Sequence, residues 1–215
     1  MPELPEVEVI RAGLTPVVTG RTLAQVRVLH PRPVRYHPAG AQGFAAELAG
    51  RTMVEPRRRG KYLWIPFDDG DALLVHLGMS GQLRVDLPDA PLLPNTRVLF
   101  DFDDDGRQLR FVDQRMFGGL QLSADGAELP PQIGHIALDP FDPDFDPEAV
   151  ARRLRAKRST VKRSLLDQTL VSGIGNIYAD ETLWRCRLHY EQPNASLSQR
   201  RAVELLSTAR VVMTE

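Results

Sequence analysis

The stretch Pro130-Pro131-Gln132-Ile133-Gly134-His135-Ile136-Ala137-Leu138-Asp139-Pro140-Phe141-Asp142-Pro143-Asp144-Phe145-Asp146-Pro147 divides the chain into two kinds of sequence. Its prolines, mixed with aspartates, read as a linker or hinge over 131–146. Before it lie short β-rich runs at 21–29, 52–55, 62–66, 72–77, 82–85, 97–102, 108–112 and 119–122. Asp69-Gly70, Asp105-Gly106 and Asp125-Gly126 punctuate them as turns. Many short strands with frequent turns predict a β-sandwich rather than alternating βαβ units. After it everything reads as helix. The fold class is therefore α+β: an N-terminal helix plus β-sandwich domain over 1–130, then an all-helical domain over 147–215.

The helices follow from spacing. Val7, Ile10, Leu14 and Val17 recur at helical intervals and predict a helix over 4–18. A second helix over 42–49 interrupts the strands. Beyond the linker, Pro147 opens a helix to about residue 156, and 160–168 forms another. Asn176 is the expected N-cap of a helix reaching Arg187. Ser196 with Gln199 forms a capping-box pattern for a last helix, whose stripe is Ala202, Leu205, Leu206, Ala209, Val212 and Met213. The sequence stops at Glu215 with no Gly, Asn or Pro to end that helix, as a chain cut short would.

At 215 residues, 42% hydrophobic and 26% charged, the chain has a soluble globular composition. No apolar run approaches the roughly 20 residues that span a bilayer, and the polar, acidic start is not a signal peptide. A single cysteine, Cys186, excludes an internal disulfide and a cysteine cluster for zinc. A cytoplasmic location is the simplest expectation.

A net charge of −1 does not itself call for nucleic acid. The distribution is more informative. Acidic residues gather at Asp101, Asp103, Asp104 and Asp105 and again between Asp139 and Glu148. Basic ones gather at Arg57-Arg58-Arg59 with Lys61, and at Arg152, Arg153, Arg155, Lys157, Arg158, Lys162 and Arg163. Such segregation builds either solvated faces or a basic surface for a polyanion.

Chemistry is concentrated in a few segments. The chain opens Met1-Pro2-Glu3-Leu4-Pro5-Glu6. Removal of Met1 leaves Pro2 as a secondary α-amine, a group that titrates near neutrality and is nucleophilic without deep burial. Attack on a sugar C1′ would give an iminium, an electron sink for elimination, with Glu3 and Glu6 close by in sequence. The plainer alternative is that Pro2 and Pro5 stiffen a helix start. Val171-Ser172-Gly173-Ile174-Gly175-Asn176 is a glycine-containing turn into a helix, whose outward N–H groups favour an anion such as a phosphate. Such a turn is also ordinary helical-hairpin geometry. His76-Leu77-Gly78-Met79-Ser80-Gly81 joins two strands, and Arg115-Met116-Phe117-Gly118-Gly119 is a similar turn with a cation and an aromatic two residues apart. Exposed Met, Arg and Phe can wedge between bases and fill a vacated stack, though singly His76 reads better as a structural histidine and Met79 as core. Lys61 is either an ordinary solvated lysine or a phosphate contact.

Taken together, Pro2–Glu8, Arg59-Gly60-Lys61-Tyr62-Leu63, His76–Gly81, Asp113–Gly118 and Gly173-Ile174-Gly175-Asn176-Ile177-Tyr178 resemble the formamidopyrimidine-DNA glycosylase family, collinearly and over most of the chain. The resemblance implies a helix–two-turns–helix domain after the sandwich, with damaged double-stranded DNA as the partner. It implies Pro2 as the nucleophile forming a Schiff base, Glu3 as the acid/base and Glu6 as a supporting carboxylate, with Lys61 in the same catalytic group. His76 and Asn176, with Gly173 and Gly175, contact phosphates or the flipped nucleotide, and Met79, Arg115 and Phe117 fill the gap it leaves. The implied activity is excision of oxidised purines (8-oxoguanine, formamidopyrimidines) followed by β,δ-elimination, by a monomer in the bacterial cytoplasm, associated with the nucleoid when bound. Family members usually carry a C-terminal four-cysteine zinc finger, which would lie beyond Glu215. No zinc, no other cofactor, weaker DNA binding and impaired glycosylase activity are therefore expected of this chain. Two alternatives remain: an endonuclease VIII-like glycosylase for oxidised pyrimidines, and a truncated, non-catalytic lesion-binding module.

Overall fold

The computed structural model describes residues 2–104 and 106–215. The expected loss of Met1 and the first residue of the Asp105-Gly106 turn fall outside the described residues. Contacts divide the chain into two compact units. Pro2, Glu6–Arg58 and Tyr62–Gly134 form the first; Glu3–Pro5, Arg59–Lys61 and His135–Glu215 form the second. The helical unit thus takes in two short pieces of the N-terminal sequence, which no contiguous reading of the chain could assign. Within the stretch read as a linker, Pro131–Ile133 is a short 3-10 turn, and Ile133, Ile136 and Asp139 are buried.

The first unit takes helix α1 (Leu4–Val18) from Glu6 onward, then strand β1 (Leu23–Val28) and helix α2 (Gly40–Leu48). Strands β2 (Arg57–Arg59), β3 (Tyr62–Pro66), β4 (Ala72–His76), β5 (Gly81–Asp86), β6 (Thr96–Phe102), β7 (Gln108–Asp113) and β8 (Gly119–Ser123) follow. They form two four-stranded sheets, ordered β1-β6-β7-β5 and β2-β3-β4-β8. The second is anchored by the hairpin at Asp69-Gly70, where Gly70 takes φ +96° and lets β3 turn directly into β4 in the register Leu63–Val75 and Ile65–Leu73. Val26, Val98, Phe100, Leu109 and Phe111 of one sheet share a core with Leu63, Ile65, Leu73, Val75 and Leu120 of the other. Val7, Leu14 and Val18 of α1 and Phe44 and Leu48 of α2 join that core, so the expected sandwich and its covering helices are present.

One expected strand is displaced. Over 52–55 only single bridges form, Thr22 with Thr52 and Met53 with Phe67. Pro56 has no N–H for a ladder, and pairing resumes beyond it in β2.

The second unit contains α3 (Pro147–Ala156), α4 (Val161–Leu165), α5 (Asn176–Cys186) and α6 (Gln199–Val212). Asp146 caps α3 by accepting from Ala149 N at 3.0 Å, with Pro147 in the first turn. Leu154, Val161, Leu165, Ile174, Leu183, Leu205 and Leu206 meet in one core. Three boundaries differ from expectation. The helix expected over 160–168 stops at Leu165, because Asp167 turns the chain by accepting from Thr169 N and Oγ1 at 2.9 and 2.7 Å. The cap of α6 is Ser198, which accepts from Arg201 N, and Ser196 instead lies in a 3-10 turn. Asn176 is the first residue of α5 and not its cap; that position belongs to Gly175.

Candidate active site

No side chain of the Gly173–Asn176 turn caps α5. The cap is supplied from the other end of the sequence. Glu3, 3% exposed, accepts from Gly175 N at 2.6 Å and Tyr178 N at 3.3 Å through Oε2, and from Ile177 N at 3.0 Å through Oε1. A buried carboxylate here satisfies the orphan donors of a helix start and meets the positive end of its dipole. The anion expected at this turn is therefore an internal one, and what Asn176 presents to solvent is its own exposed side chain.

The glycines are required by this arrangement. A Cβ on Gly175 would lie 2.3 Å from Glu3 Cδ, and one on Gly173, where φ is +93°, would lie 2.5 Å from Leu4 Cδ1. Leu4 N also donates to Gly173 O at 3.0 Å. Pro5 falls in the first turn of α1, where a missing N–H costs nothing. Pro2, half-buried, lies two residues before that helix begins, so helix initiation does not account for it.

The segment carrying Lys61 converges on the same turn. Gly60 has φ +55°, and a Cβ there would lie 2.7 Å from the side chain of Ser172 and 2.9 Å from Gly173 N. Gly60 N donates to Asp139 Oδ2 at 3.2 Å, while Asp139 Oδ1 accepts from Phe141 N. Lys61 itself is 9% exposed and Asp139 4%. A solvated lysine is thus ruled out by burial. Glu3, Lys61, Gly173, Gly175 and Asn176 are gathered within the helical unit around residues 172–176.

A second group lies in the sandwich unit, at the ends of β4 and β7. Gly78, with φ +61°, lets the turn bearing Met79 pack directly on the backbone of Phe117 and Gly118. Met79 and Phe117 are 46% and 50% exposed, and the Arg115 guanidinium lies 5.5 Å from the Phe117 ring centre. Exposure on paired loops excludes a core role for Met79. His76 lines a pocket of about 330 Å³ with Arg35, Tyr36, Tyr62, Phe117 and Gln121. Arg35 is fixed there by donating to the carbonyls of Arg32 and Gly118, each at 2.9 Å. Burial, and then the positive charge of Arg35, hold the His76 imidazole below its ordinary pKa, partly offset by Asp113.

Reading the sequence missed Arg35, Asp139, Ser80 and Asp113. The last two stand inside the quoted motifs, so position could have flagged them. Asp139 was hidden in an acidic run. As to zinc, the described residues do not fit it: the one cysteine is buried, and no three His, Cys, Asp or Glu side chains among them are grouped to hold a metal ion. No helix among them is long and apolar enough to cross a membrane.

Comparison with known proteins matches residues 1–120 to the formamidopyrimidine-DNA glycosylase N-terminal domain and residues 136–215 to the formamidopyrimidine-DNA glycosylase H2TH domain. The chain is 62% identical over 215 residues to a formamidopyrimidine-DNA glycosylase of Nocardioides sp., covering 99% of this chain and 73% of that protein. Among solved structures, it resembles the Lactococcus lactis Fpg protein complexed with a FAPY-dG-containing DNA, with a TM-score of 0.89 and 33% identity over 99% of this chain and 78% of that one. The same Lactococcus protein with an oxidised-pyrimidine-containing DNA gives a TM-score of 0.90 at 33% identity, over 99% and 79% of the two chains.

Proposed function

The chain belongs to the formamidopyrimidine-DNA glycosylase family, and we propose that it excises oxidised purines from duplex DNA and nicks the strand at the resulting sugar. Base chemistry inside a duplex requires the nucleotide to be extruded, at a cost of a few kcal/mol that is least for a damaged pair. Met79, Arg115 and Phe117 then occupy the vacated stack, while Lys61, His76 and Asn176 hold phosphates. With Met1 removed, the Pro2 amine attacks C1′ as the N-glycosidic bond breaks, and the electron pair of that bond leaves with the base, which takes up a proton. Opening of the sugar ring leaves an iminium on C1′. Loss of a C2′ proton expels the 3′ phosphate, and a second elimination expels the 5′ phosphate. Glu3 and Glu6 are the carboxylates that manage these protons. DNA is the macromolecular partner; the protein acts as a monomer in the cytoplasm, and no bound cofactor takes part.

The observation that carries this reading is the anchoring of Glu3 to the first turn of α5, which fixes the residue next to the amine. Borohydride trapping on duplexes containing 8-oxoguanine or thymine glycol tests it, with N-terminal mass analysis confirming that Met1 is gone. A covalent adduct forming preferentially with 8-oxoguanine, and lost in Pro2→Gly, is expected. A thymine glycol preference would install the pyrimidine reading, for which the Lactococcus complex with oxidised-pyrimidine DNA gives precedent. No adduct with either lesion would leave a binding module.

A further inference from the structure

The two loops assigned to the vacated stack are joined by a group that touches neither a base nor a phosphate in that scheme. Asp113, the last residue of β7, is fully buried. Its Oδ1 accepts from the Ser80 hydroxyl at 2.5 Å, and its Oδ2 accepts from Gly118 N at 2.8 Å. The same Ser80 oxygen accepts from Arg115 N at 2.9 Å. A serine hydroxyl has one proton to donate, and here it is committed to Asp113. Charge-assisted bonds of this length are the strong ones.

Each side-chain bond in this network ends on a wedge candidate or on a residue beside one. Ser80 follows Met79; Arg115 N and Gly118 N flank Met116-Phe117. The backbones are as close as glycine permits: a Cβ on Gly78 would lie 2.6 Å from Gly118 N, and one on Gly118 would lie 2.9 Å from Asp113 Oδ2. Between the two bonded amides, Met116 sits in the left-handed region at φ 56°, a conformation that persists where its surroundings over-determine it.

We propose that Asp113 and Ser80 are positioning residues that lock the Met79 loop and the Arg115–Phe117 loop into one rigid wedge, so that the three side chains enter the stack together. This rests on the role given to those side chains under the proposed function. A wedge of two independent loops would lose rotational freedom on insertion; a latched pair has lost it in advance.

Ser80→Ala removes the latch without adding bulk, and Ser80→Thr restores the hydroxyl. In the free protein, amide exchange at Arg115 and Gly118 should rise about tenfold in Ser80→Ala, one buried hydrogen bond's worth, with the sandwich core unchanged and Ser80→Thr restored. Excision of a paired oxidised purine should fall about tenfold, while trapping at a preformed abasic site, with no base to extrude, stays within about twofold. Ser80→Ala combined with Phe117→Ala should be no worse than Phe117→Ala alone, because both act through one wedge. Asp113→Asn, which turns an NH2 toward one of the two donors, should repeat the pattern. Unchanged exchange at Arg115 and Gly118, or additive loss in the double variant, would overturn the latch. A wild-type protein that excises nothing would overturn the enzymatic reading, and the exchange measurement would still decide the latch.

Discussion

Replacing Glu3 with glutamine should destabilise this protein, which is the opposite of what removal of a purely catalytic carboxylate does. Active-site groups are commonly held at a cost in stability, and neutralising them tends to leave stability unchanged or raise it. Glu3 is held differently. Its two oxygens accept three amide N–H groups at the start of α5 and it is 3% exposed. Glutamine of the same shape can keep its carbonyl on Gly175 N and Tyr178 N, but its NH2 then faces Ile177 N, donor against donor. An unsatisfied buried donor costs about 1–3 kcal/mol. Loss of the negative charge at a partly buried helix start adds up to about 2 kcal/mol. Together these give about 3 kcal/mol, a fall of more than 10 °C in Tm for a unit of under 100 residues. Urea or thermal denaturation followed by far-ultraviolet circular dichroism, to which the four helices of the second unit contribute, would measure it. A Glu3→Gln variant as stable as the wild type would show that the α5 cap is not what Glu3 contributes.

Gly175→Ala should displace the Glu3 carboxylate, since its Cβ would lie 2.3 Å from Glu3 Cδ; borohydride trapping should fall about 100-fold, as a misplacement of roughly 1 Å can cost. Gly60→Ala combines a left-handed φ with overlap on Ser172 and Gly173 and should cost about 3 kcal/mol, read by denaturation of the helical unit. Because His76 is held below its ordinary pKa of about 6.5, the unfolded chain binds its proton first. This contribution to stability is therefore present above pH about 6.5 and lost as the pH falls through the lower folded value. Arg35→Met should raise the His76 pKa measured by NMR titration, though not to the ordinary value, because burial is the larger cause; no movement would remove Arg35 from the account. Arg110, 1% exposed, donates to Gln108 Oε1 and to the carbonyls of Leu87, Ala90 and Pro91. Arg110→Met should cost about 3 kcal/mol by urea denaturation while trapping in native buffer is kept.

The sandwich was legible because its strands are apolar runs closed by turn residues, a local property. Asp69-Gly70 set a hairpin and its register at once. Sheet order was not legible: β1 lies beside β6, and β4 beside β8, which is decided by which faces can share a core. Pro56 and Asp167 show the same limit at smaller scale, each ending an element through a missing donor or a local side-chain bond. At the site, the motifs named segments that the structure gathers within each unit, but not what their glycines are packed against. The glycines before α5 read either as a phosphate-binding turn or as hairpin geometry; in the structure they make room for Glu3 and Leu4. Asp139 sat in a run of acids that read as solvated, yet it accepts the amide of Gly60 in the interior. No pattern in the linear sequence announces a bond between residues 172 positions apart.

That long-range bond also bears on the proposal of Pro2 as nucleophile. Termini fray unless tied down, and an amine that samples many positions forfeits the advantage of orientation, which for well-placed groups is worth about 7–11 kcal/mol of barrier. Here the tie comes immediately after Pro2. Glu3 holds three amides of α5, and Leu4 donates to Gly173 O while its side chain fills the space a Cβ on Gly173 would take. Pro2 adds the rigidity of its ring. Only the torsions between Pro2 and a fixed Glu3 remain to be ordered. The start of α5, where Asn176 faces solvent, is on this geometry also the clamp behind the proposed nucleophile.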